Sequence, residues 1–318
     1  MKARRILFDT RGFVMERVLS DEEVLDFRRL MGDLLNPEMR GSNPESANSA
    51  MQHLGDPLGS FGSRAKQYYI HLLGTPGAQP LLHAYHIPRV LEIVEDLLGS
   101  HPIINNASIF ATNPGVPYSL PWHRDVIQVP EEHIRDELFS SAWRHNSVQI
   151  NIPLYEENCL WVVPGSHRRP NTPQENAAFG GSRHYAPLDS IMPDGVPVMI
   201  PAGYALLYNN NLIHRGFNKG MKTPRRTLHM GYHSATRKPS WHFYLLPLRP
   251  LLDPAYQATL QPRIRAMVEE YIECRERFPR MEDTWQPGWP GPVAGENFLS
   301  AKSFDKLSAS MKCVPCRS

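Results

Sequence analysis

The segment LPWHRDVIQ, from Leu120 to Gln128, places a histidine and an aspartate two residues apart. In a β-strand, residues i and i+2 point to the same face, so His123 and Asp125 can direct an imidazole and a carboxylate at one point. Of the 14 histidines in the chain, His123 is the only one with an acidic residue two positions later. Taken alone, the pair fits both a surface ion pair and two arms of a metal site.

A third ligand candidate, His214, follows the apolar run YALLYN (Tyr204 to Asn209). Two imidazoles and one carboxylate on one face of a metal form the ligand set of non-heme Fe(II) oxygenases, which leaves positions open for a co-substrate and O2. Zinc hydrolases also use two histidines and a carboxylate, so the ligand types alone leave the metal open.

Arg225 lies eleven residues after His214 and is followed by Arg226. A guanidinium pairs bidentately with a carboxylate and keeps its charge when it is partly buried. A 2-oxo diacid chelated to iron needs such a partner for its far carboxylate, whereas a zinc hydrolase does not. In isolation, the segment PRR would be interpreted as a solvated basic turn.

The pattern of apolar and turn-forming residues along the chain predicts a β core with helices outside it. Short apolar runs separated by Pro, Gly and Asn indicate a sandwich or barrel. They are SVQINIPLY (147–155), CLWVVPG (159–165), VPVMIPAG (196–203), YALLYN (204–209) and RTLHMGYH (226–233). Helices are predicted at Ser20 to Leu35, where Ser20 and Glu23 have capping-box spacing, at Ile87 to Ser100, and at Leu260 to Phe278. One domain is expected over residues 1–318, with a core of about 8–250 and a helical and irregular extension over about 251–318.

Composition and charge exclude several classes of protein. A net charge of +2 is too small to indicate nucleic acid or an anionic membrane surface as partner. No apolar run reaches the length of a membrane span, and the basic N-terminal segment has no apolar stretch typical of a secretory signal. Four cysteines are too few for a disulfide scaffold, which favours the cytoplasm. Cys313 and Cys316 form a CxxC pair without a second ligand pair beside it, so we interpret it as part of the tail.

Four segments in order resemble the phytanoyl-CoA dioxygenase-like family of Fe(II)/2-oxoglutarate-dependent oxygenases. DTRGFVMERVLSDEEVLDFRRLM (9–31) looks like its opening strand and helix, and PWHRD (121–125) looks like its H-x-D motif. CLWVVPGSHRR (159–169) is similar to its L-x-x-x-PGSH segment, and HRGFN (214–218) with Arg225 and Arg226 looks like its distal histidine and arginine. The resemblance spans about Phe8 to Tyr232 and implies a double-stranded β-helix, a jelly-roll or cupin-like barrel.

The resemblance implies a role for each matching residue. His123, Asp125 and His214 would ligate Fe(II), and Arg225 would bind the far carboxylate of 2-oxoglutarate. Thr227 shares a strand face with Arg225 and could add a hydrogen bond to the same carboxylate. Two further co-substrate contacts are Lys66, in RAKQYYIH, and Asn151, in QINIPL. His167 of PGSH is interpreted as structural.

The implied activity is oxidation, most simply hydroxylation, of a small molecule with O2 and 2-oxoglutarate, releasing succinate and CO2. Asp125 argues against halogenation, because halogenating relatives have a small residue at that position. A binding protein on the same fold and a zinc-dependent cupin-like hydrolase or isomerase remain alternatives. No nucleic acid or membrane partner is expected, and homodimerisation is left open. The segments Asn36–Ser63 and Glu131–Asn146 are predicted to form the substrate pocket, with Arg124, His133, Trp143 and Arg144 near the ligands in sequence.

Overall fold

Ten β-strands form two antiparallel sheets in the computed structural model, which describes residues 3–36, 68–75, 77–125, 145–181, 185–237, 239, 243, 246 and 248–278. The larger sheet has six strands in the order β1-β8-β5-β10-β3-β2, and the smaller has four in the order β4-β9-β6-β7. The strands are β1 (Phe13–Arg17), β2 (Tyr68–His71), β3 (Pro102–Thr112), β4 (Tyr118–Ser119), β5 (Ser147–Pro153), β6 (Leu160–Val162), β7 (Val196–Pro197), β8 (Tyr204–Asn209), β9 (His214–Asn218) and β10 (Arg225–Ser234).

Helices flank these sheets, as the sequence predicts. They are α1 (Ala3–Arg11), α2 (Asp21–Leu35), α3 (Pro88–Leu98), α4 (Pro173–Ala178), α5 (Leu248–Leu251), α6 (Pro254–Thr259) and α7 (Pro262–Arg277), with 3-10 segments at Gln79–His86 and Ser166–Arg168. None of the helices in the described parts of the chain combines the length and apolar character needed to cross a membrane.

The ends of the predicted helices follow from local sequence. Ser20 caps α2 by accepting from the Glu23 amide at 3.1 Å, while the Glu23 carboxylate accepts from the Ser20 amide at 2.7 Å. This reciprocal pairing satisfies two amides that have no partner within the helix. Pro88 begins α3, and Gly99 ends it in the left-handed conformation with φ 67°.

The two faces of β10 have different surroundings. Leu228, Met230 and Tyr232 belong to the main hydrophobic core, together with apolar residues of α2, α3 and α7. The alternate residues Arg225 and Thr227 instead bond to groups near the smaller sheet. Side chains alternate along a strand, so β10 separates an apolar layer under the helices from a polar space between the sheets.

Two predicted strands are shorter than expected. Of residues 196–203 only Val196–Pro197 is strand, because Pro197 and Pro201 have no amide hydrogen to donate to a ladder. Of residues 159–165 only Leu160–Val162 is strand, since Pro164 and the left-handed Gly165 turn the chain into a 3-10 segment. The sequence pattern did not predict the first helix, α1, or the long strand β3.

Candidate metal and co-substrate site

His123, Asp125 and His214 come together between the two sheets. Their possible ligand atoms all lie within 4.8 Å of one another. Asp125 Oδ1 is 3.3 Å from His123 Nε2, and Asp125 Oδ2 is 3.4 Å from His214 Nε2. Their side chains are 14%, 8% and 6% exposed, respectively. The arrangement offers one carboxylate and two imidazoles to a single ion, which fits a divalent metal.

A short antiparallel bridge brings the two histidines into register. The amide of each residue donates to the carbonyl of the other, at 2.9 Å in both directions. Each Nδ1 lies 2.8 Å from a backbone carbonyl, that of Pro121 for His123 and that of Leu212 for His214. With the Nδ1 protons donated to these carbonyls, both Nε2 lone pairs are directed at the shared point.

Asp125 is oriented by the larger sheet. Gln149 on β5 donates from Nε2 to Asp125 Oδ2, and the Tyr208 hydroxyl on β8 donates to Gln149 Oε1 at 3.0 Å. Gln149 and Tyr208 are opposite each other in the β5–β8 register. Two successive hydrogen bonds, from Tyr208 to Gln149 and from Gln149 to Asp125, therefore hold the plane of the carboxylate.

Arg124, which stands between His123 and Asp125 in sequence, is half-buried and bonds to other parts of the chain. Its guanidinium donates to the carbonyl of Asn211, to that of Ser166 at 2.8 Å and to Asn171 Oδ1 at 2.8 Å. Burial lowers the pKa of Arg124 to about 9. The residue fastens the His-x-Asp segment to the PGSH turn and to the loop before His214.

The PGSH segment (164–167) supports the site structurally. The Ser166 hydroxyl accepts from the Ile213 amide at 2.8 Å, and Asn211 Nδ2 donates to the His167 carbonyl at 3.0 Å. His167 is fully buried and outside the metal cluster. These contacts agree with the interpretation of His167 as structural.

Arg225 and Thr227 already hold a carboxylate, that of Glu157. Arg225 Nε and Nη2 donate to Glu157 Oε2 and Oε1 at 2.9 and 3.3 Å, and the Thr227 hydroxyl donates to Oε2 at 2.7 Å. Arg225 Nη1 also donates to the Tyr118 hydroxyl at 2.6 Å. Arg225 and Thr227, which were predicted to bind a carboxylate together, do bind one in the structure. It is the side chain of Glu157.

The electrostatics of this cluster follow from burial and pairing. Burial alone lowers the pKa of Arg225, but Glu157, Tyr118 and Cys159 raise it by more, so the net shift is upward. Burial raises the pKa of Tyr118 well above its ordinary value and that of Cys159 to about 11. Arg225 is therefore permanently cationic, and its two buried neighbours are neutral at pH 7.

The structure describes one of the two remaining residues predicted to contact the co-substrate. Asn151 does face the polar space, where its Oδ1 is 2.7 Å from His229 Nδ1. Lys66 lies outside the described residues, as do Cys313 and Cys316. So do residues 37–63 and 131–144 of the two predicted pocket walls, which include His133, Trp143 and Arg144. The roles of Lys66 and Asn151 stay predictions.

The sequence patterns did not indicate a role for four residues of the site: Gln149, Tyr208, Tyr118 and Glu157. Gln149 could have been found from Asn151, because the two share one face of a strand. Glu157 had no such signal, since it stands in a loop 68 positions from Arg225.

The fold and the site define a double-stranded β-helix protein with a metal-competent His-Asp-His cluster. Residues 8–227 match the family model described as phytanoyl-CoA dioxygenase. The chain belongs to that family, which confirms the resemblance seen in the sequence. No curated protein sequence matches it.

Solved structures share the fold at low sequence identity. AviO1 from Streptomyces viridochromogenes Tue57 matches with a TM-score of 0.51 and 18% identity, covering 74% of this chain and 96% of AviO1. EctD from S. alaskensis with bound Fe matches with a TM-score of 0.50 and 20% identity, covering 76% of this chain and 80% of EctD. The non-heme alpha ketoglutarate dependent carbocyclase SnoK from nogalamycin biosynthesis matches with a TM-score of 0.49 and 21% identity, covering 74% of this chain and 84% of SnoK.

Family membership and the cluster together class the chain as an iron- and 2-oxoglutarate-dependent oxygenase. Its cofactor and co-substrates are accordingly Fe(II), 2-oxoglutarate and O2.

Proposed function

We propose that the chain hydroxylates a small-molecule substrate, with Fe(II) held by His123, Asp125 and His214. The observation that carries the proposal is the orientation of the three side chains. Both imidazoles present Nε2 to the point that the Asp125 carboxylate also faces, and both Nδ1 atoms are hydrogen-bonded to backbone carbonyls. Such support raises metal affinity and fixes the open side of the site.

Arg225 and Thr227 support binding of 2-oxoglutarate. Their donors already form a carboxylate site with one guanidinium edge and one hydroxyl, as the bond pattern with Glu157 demonstrates. A 2-oxo diacid would present its far carboxylate to the same donors while its 2-oxo acid end chelates the metal.

Iron with 2-oxoglutarate supplies the oxidising chemistry: one atom of O2 enters a substrate C–H bond as a hydroxyl, the other enters succinate, and CO2 is released. The chain's own residues bind, orient and exclude water. Gln149 holds the Asp125 carboxylate in one plane, and Arg124 holds the segment that carries it. Hydroxylation is proposed over halogenation because Asp125 is a carboxylate and stands in the cluster.

The test is an anaerobic reconstitution of the apoprotein with Fe(II) and 2-oxoglutarate, followed by O2. We expect a weak visible charge-transfer band before O2 is added and succinate after it. A library of small metabolites would then identify the substrate that raises succinate formation, and mass spectrometry would show a gain of one oxygen atom.

Zinc is the control metal. Zinc-loaded protein should give neither the band nor succinate. If Fe(II) and 2-oxoglutarate give no band while zinc supports hydrolysis, the proposed function is wrong. A product that lacks the added oxygen would exclude hydroxylation and leave the oxygenase class intact.

A further inference from the structure

Glu157 binds where the far carboxylate of 2-oxoglutarate is proposed to bind. Its two carboxylate oxygens accept from Arg225 Nε, Arg225 Nη2 and the Thr227 hydroxyl. The side chains of Arg225 and Glu157 are only 2% and 1% exposed. Two carboxylates cannot share these donors at low cost, because like charges repel strongly in a buried site.

We propose that Glu157 is an internal competitor for the co-substrate: 2-oxoglutarate binds by displacing it from Arg225 and Thr227. This inference rests on the proposed function. It makes Glu157 a residue that determines both the affinity for 2-oxoglutarate and the selectivity between 2-oxo acids with and without a second carboxylate.

The backbone of Glu157 is fixed, so only its side chain can move. The Glu157 amide donates to the Ile200 carbonyl at 3.1 Å, and the Ile200 amide donates to the Glu157 carbonyl at 2.8 Å. Rotation about the side-chain bonds therefore suffices for exchange, and the sheet does not have to open.

A cavity beside Glu157 provides the space for the displaced side chain. It has a volume of about 460 Å³, and its lining includes Glu157, Asn218, Lys219 and Lys222. Both lysines are exposed. A carboxylate moved away from Arg225 needs water or a cation to offset the lost pairing, and this cavity offers both.

The exchange keeps the charge of the cluster balanced. Before binding, Arg225 is neutralised by Glu157; afterwards it is neutralised by the co-substrate, with Glu157 near Lys219 and Lys222. A 2-oxo acid without a second carboxylate leaves the Arg225–Glu157 pair intact. Wild-type protein should therefore gain less from a second carboxylate than an unoccupied arginine site would.

The experiment compares two ligands and two proteins. Dissociation constants of 2-oxoglutarate and of 2-oxopentanoate, which has a methyl group in place of the far carboxylate, are measured anaerobically with Fe(II) by the visible band and by calorimetry. Glu157→Gln should bind 2-oxoglutarate about 10-fold more tightly than wild type, as expected when a charged competitor for a charge-assisted pair is removed. Its affinity for 2-oxopentanoate should stay within about twofold of wild type.

Glu156→Gln is the matched control, because Glu156 is an exposed neighbour that lines the same cavity. It should change neither constant. The double variant Lys219→Gln/Lys222→Gln should weaken 2-oxoglutarate binding about threefold in the wild-type background and leave it unchanged in Glu157→Gln, since the coupling requires the displaced carboxylate. If Glu157→Gln fails to fold, Glu157→Asp replaces it and should tighten 2-oxoglutarate by a smaller factor.

An unchanged or weaker affinity for 2-oxoglutarate in the Glu157 variants overturns the inference, and Glu157 would then only orient Arg225. If neither 2-oxo acid binds to wild type or variant, the proposed function fails and the inference fails with it. The two failures are distinguishable, because 2-oxopentanoate does not need Arg225.

Discussion

Arg225 and Arg226 are adjacent and both buried, yet they have opposite environments. Arg225 points between the sheets and bonds to Glu157, and Tyr118 accepts from it as well. Arg226 points to the other side of β10 and donates to the backbone carbonyls of Thr112 and Arg225, each at 2.7 Å. Burial lowers the pKa of Arg226 to about 10, whereas the net pKa shift of Arg225 is upward.

The comparison shows that one residue of register separates an arginine paired with a carboxylate from one paired with backbone carbonyls. Alternation along a strand assigns successive side chains to opposite faces, so two identical residues acquire different partners. A carboxylate partner can be exchanged for a ligand's carboxylate, whereas a backbone carbonyl of the same sheet cannot. The predictions below test this contrast between the two faces, from the largest expected effect to the smallest.

Loss of a metal ligand should have the largest effect. His123→Ala, Asp125→Ala and His214→Ala should each reduce Fe(II)-dependent succinate formation by at least about 100-fold, because removing even an outer partner of a ligand costs about 10–100-fold. The proteins should remain folded by circular dichroism. His229→Ala is the control, since this histidine shares the inner face but lies outside the cluster. Near wild-type succinate formation in any of the three would remove that residue from the site.

The next largest effect should be a difference between Arg225 and Arg226 in the use of 2-oxoglutarate. Arg225→Gln should weaken 2-oxoglutarate use by about 2 kcal/mol or more, because a charge-assisted pair is lost and the Glu157 carboxylate is left to repel the ligand. Arg226→Gln should change it little. The KM values for 2-oxoglutarate in the two variants decide the matter, and the reverse ranking would contradict the inner-face assignment of Arg225.

Substitution of Arg124 should have a smaller effect, which is on the affinity for Fe(II). Arg124→Gln removes donors that hold the His-x-Asp segment to Ser166 and Asn211, so Fe(II) affinity should fall about 10-fold, the lower end expected for outer partners of ligands. A competition titration with a chelator measures it. Arg168→Gln is the control, because the Arg168 side chain is exposed and donates to the Asp9 carbonyl, away from the cluster. Equal affinities in both variants would assign Arg124 to folding alone.

The smallest effect on activity should come from the far end of β10, where the expected change is in stability. His233 is fully buried against Phe243 and Cys274, and burial lowers its pKa to about 3. Below about pH 6.5 the unfolded chain takes up a proton that the folded chain resists, so stability falls as pH decreases toward 3, by at most about 1.4 kcal/mol per pH unit. His233→Gln should flatten this acid-side slope in urea unfolding. The exposed His101→Gln should not, and equal slopes in wild type and His233→Gln would refute the assignment.

Much of the local structure was predictable from neighbouring residues. The capping box of Ser20 and Glu23, the Gly99 helix end and the run Tyr204–Asn209 are all present as expected. Predictions failed where prolines interrupt apolar runs, as in residues 196–203, because an apolar residue pattern does not report missing amide donors. Arg124 was noted only as near the ligands in sequence, and its bonds to the carbonyls of Ser166 and Asn211 join segments that are distant in the chain.

The sequence by itself determined the chemical types in the site and which neighbours share a face: His123 with Asp125, and Arg225 with Thr227. Both follow from the two-residue period of a strand. Only the tertiary structure decided that His214 is opposite His123 and that Glu157 binds Arg225. Such pairings depend on strand order and register between distant segments, which are determined by packing of the whole sheet, so no local pattern encodes them.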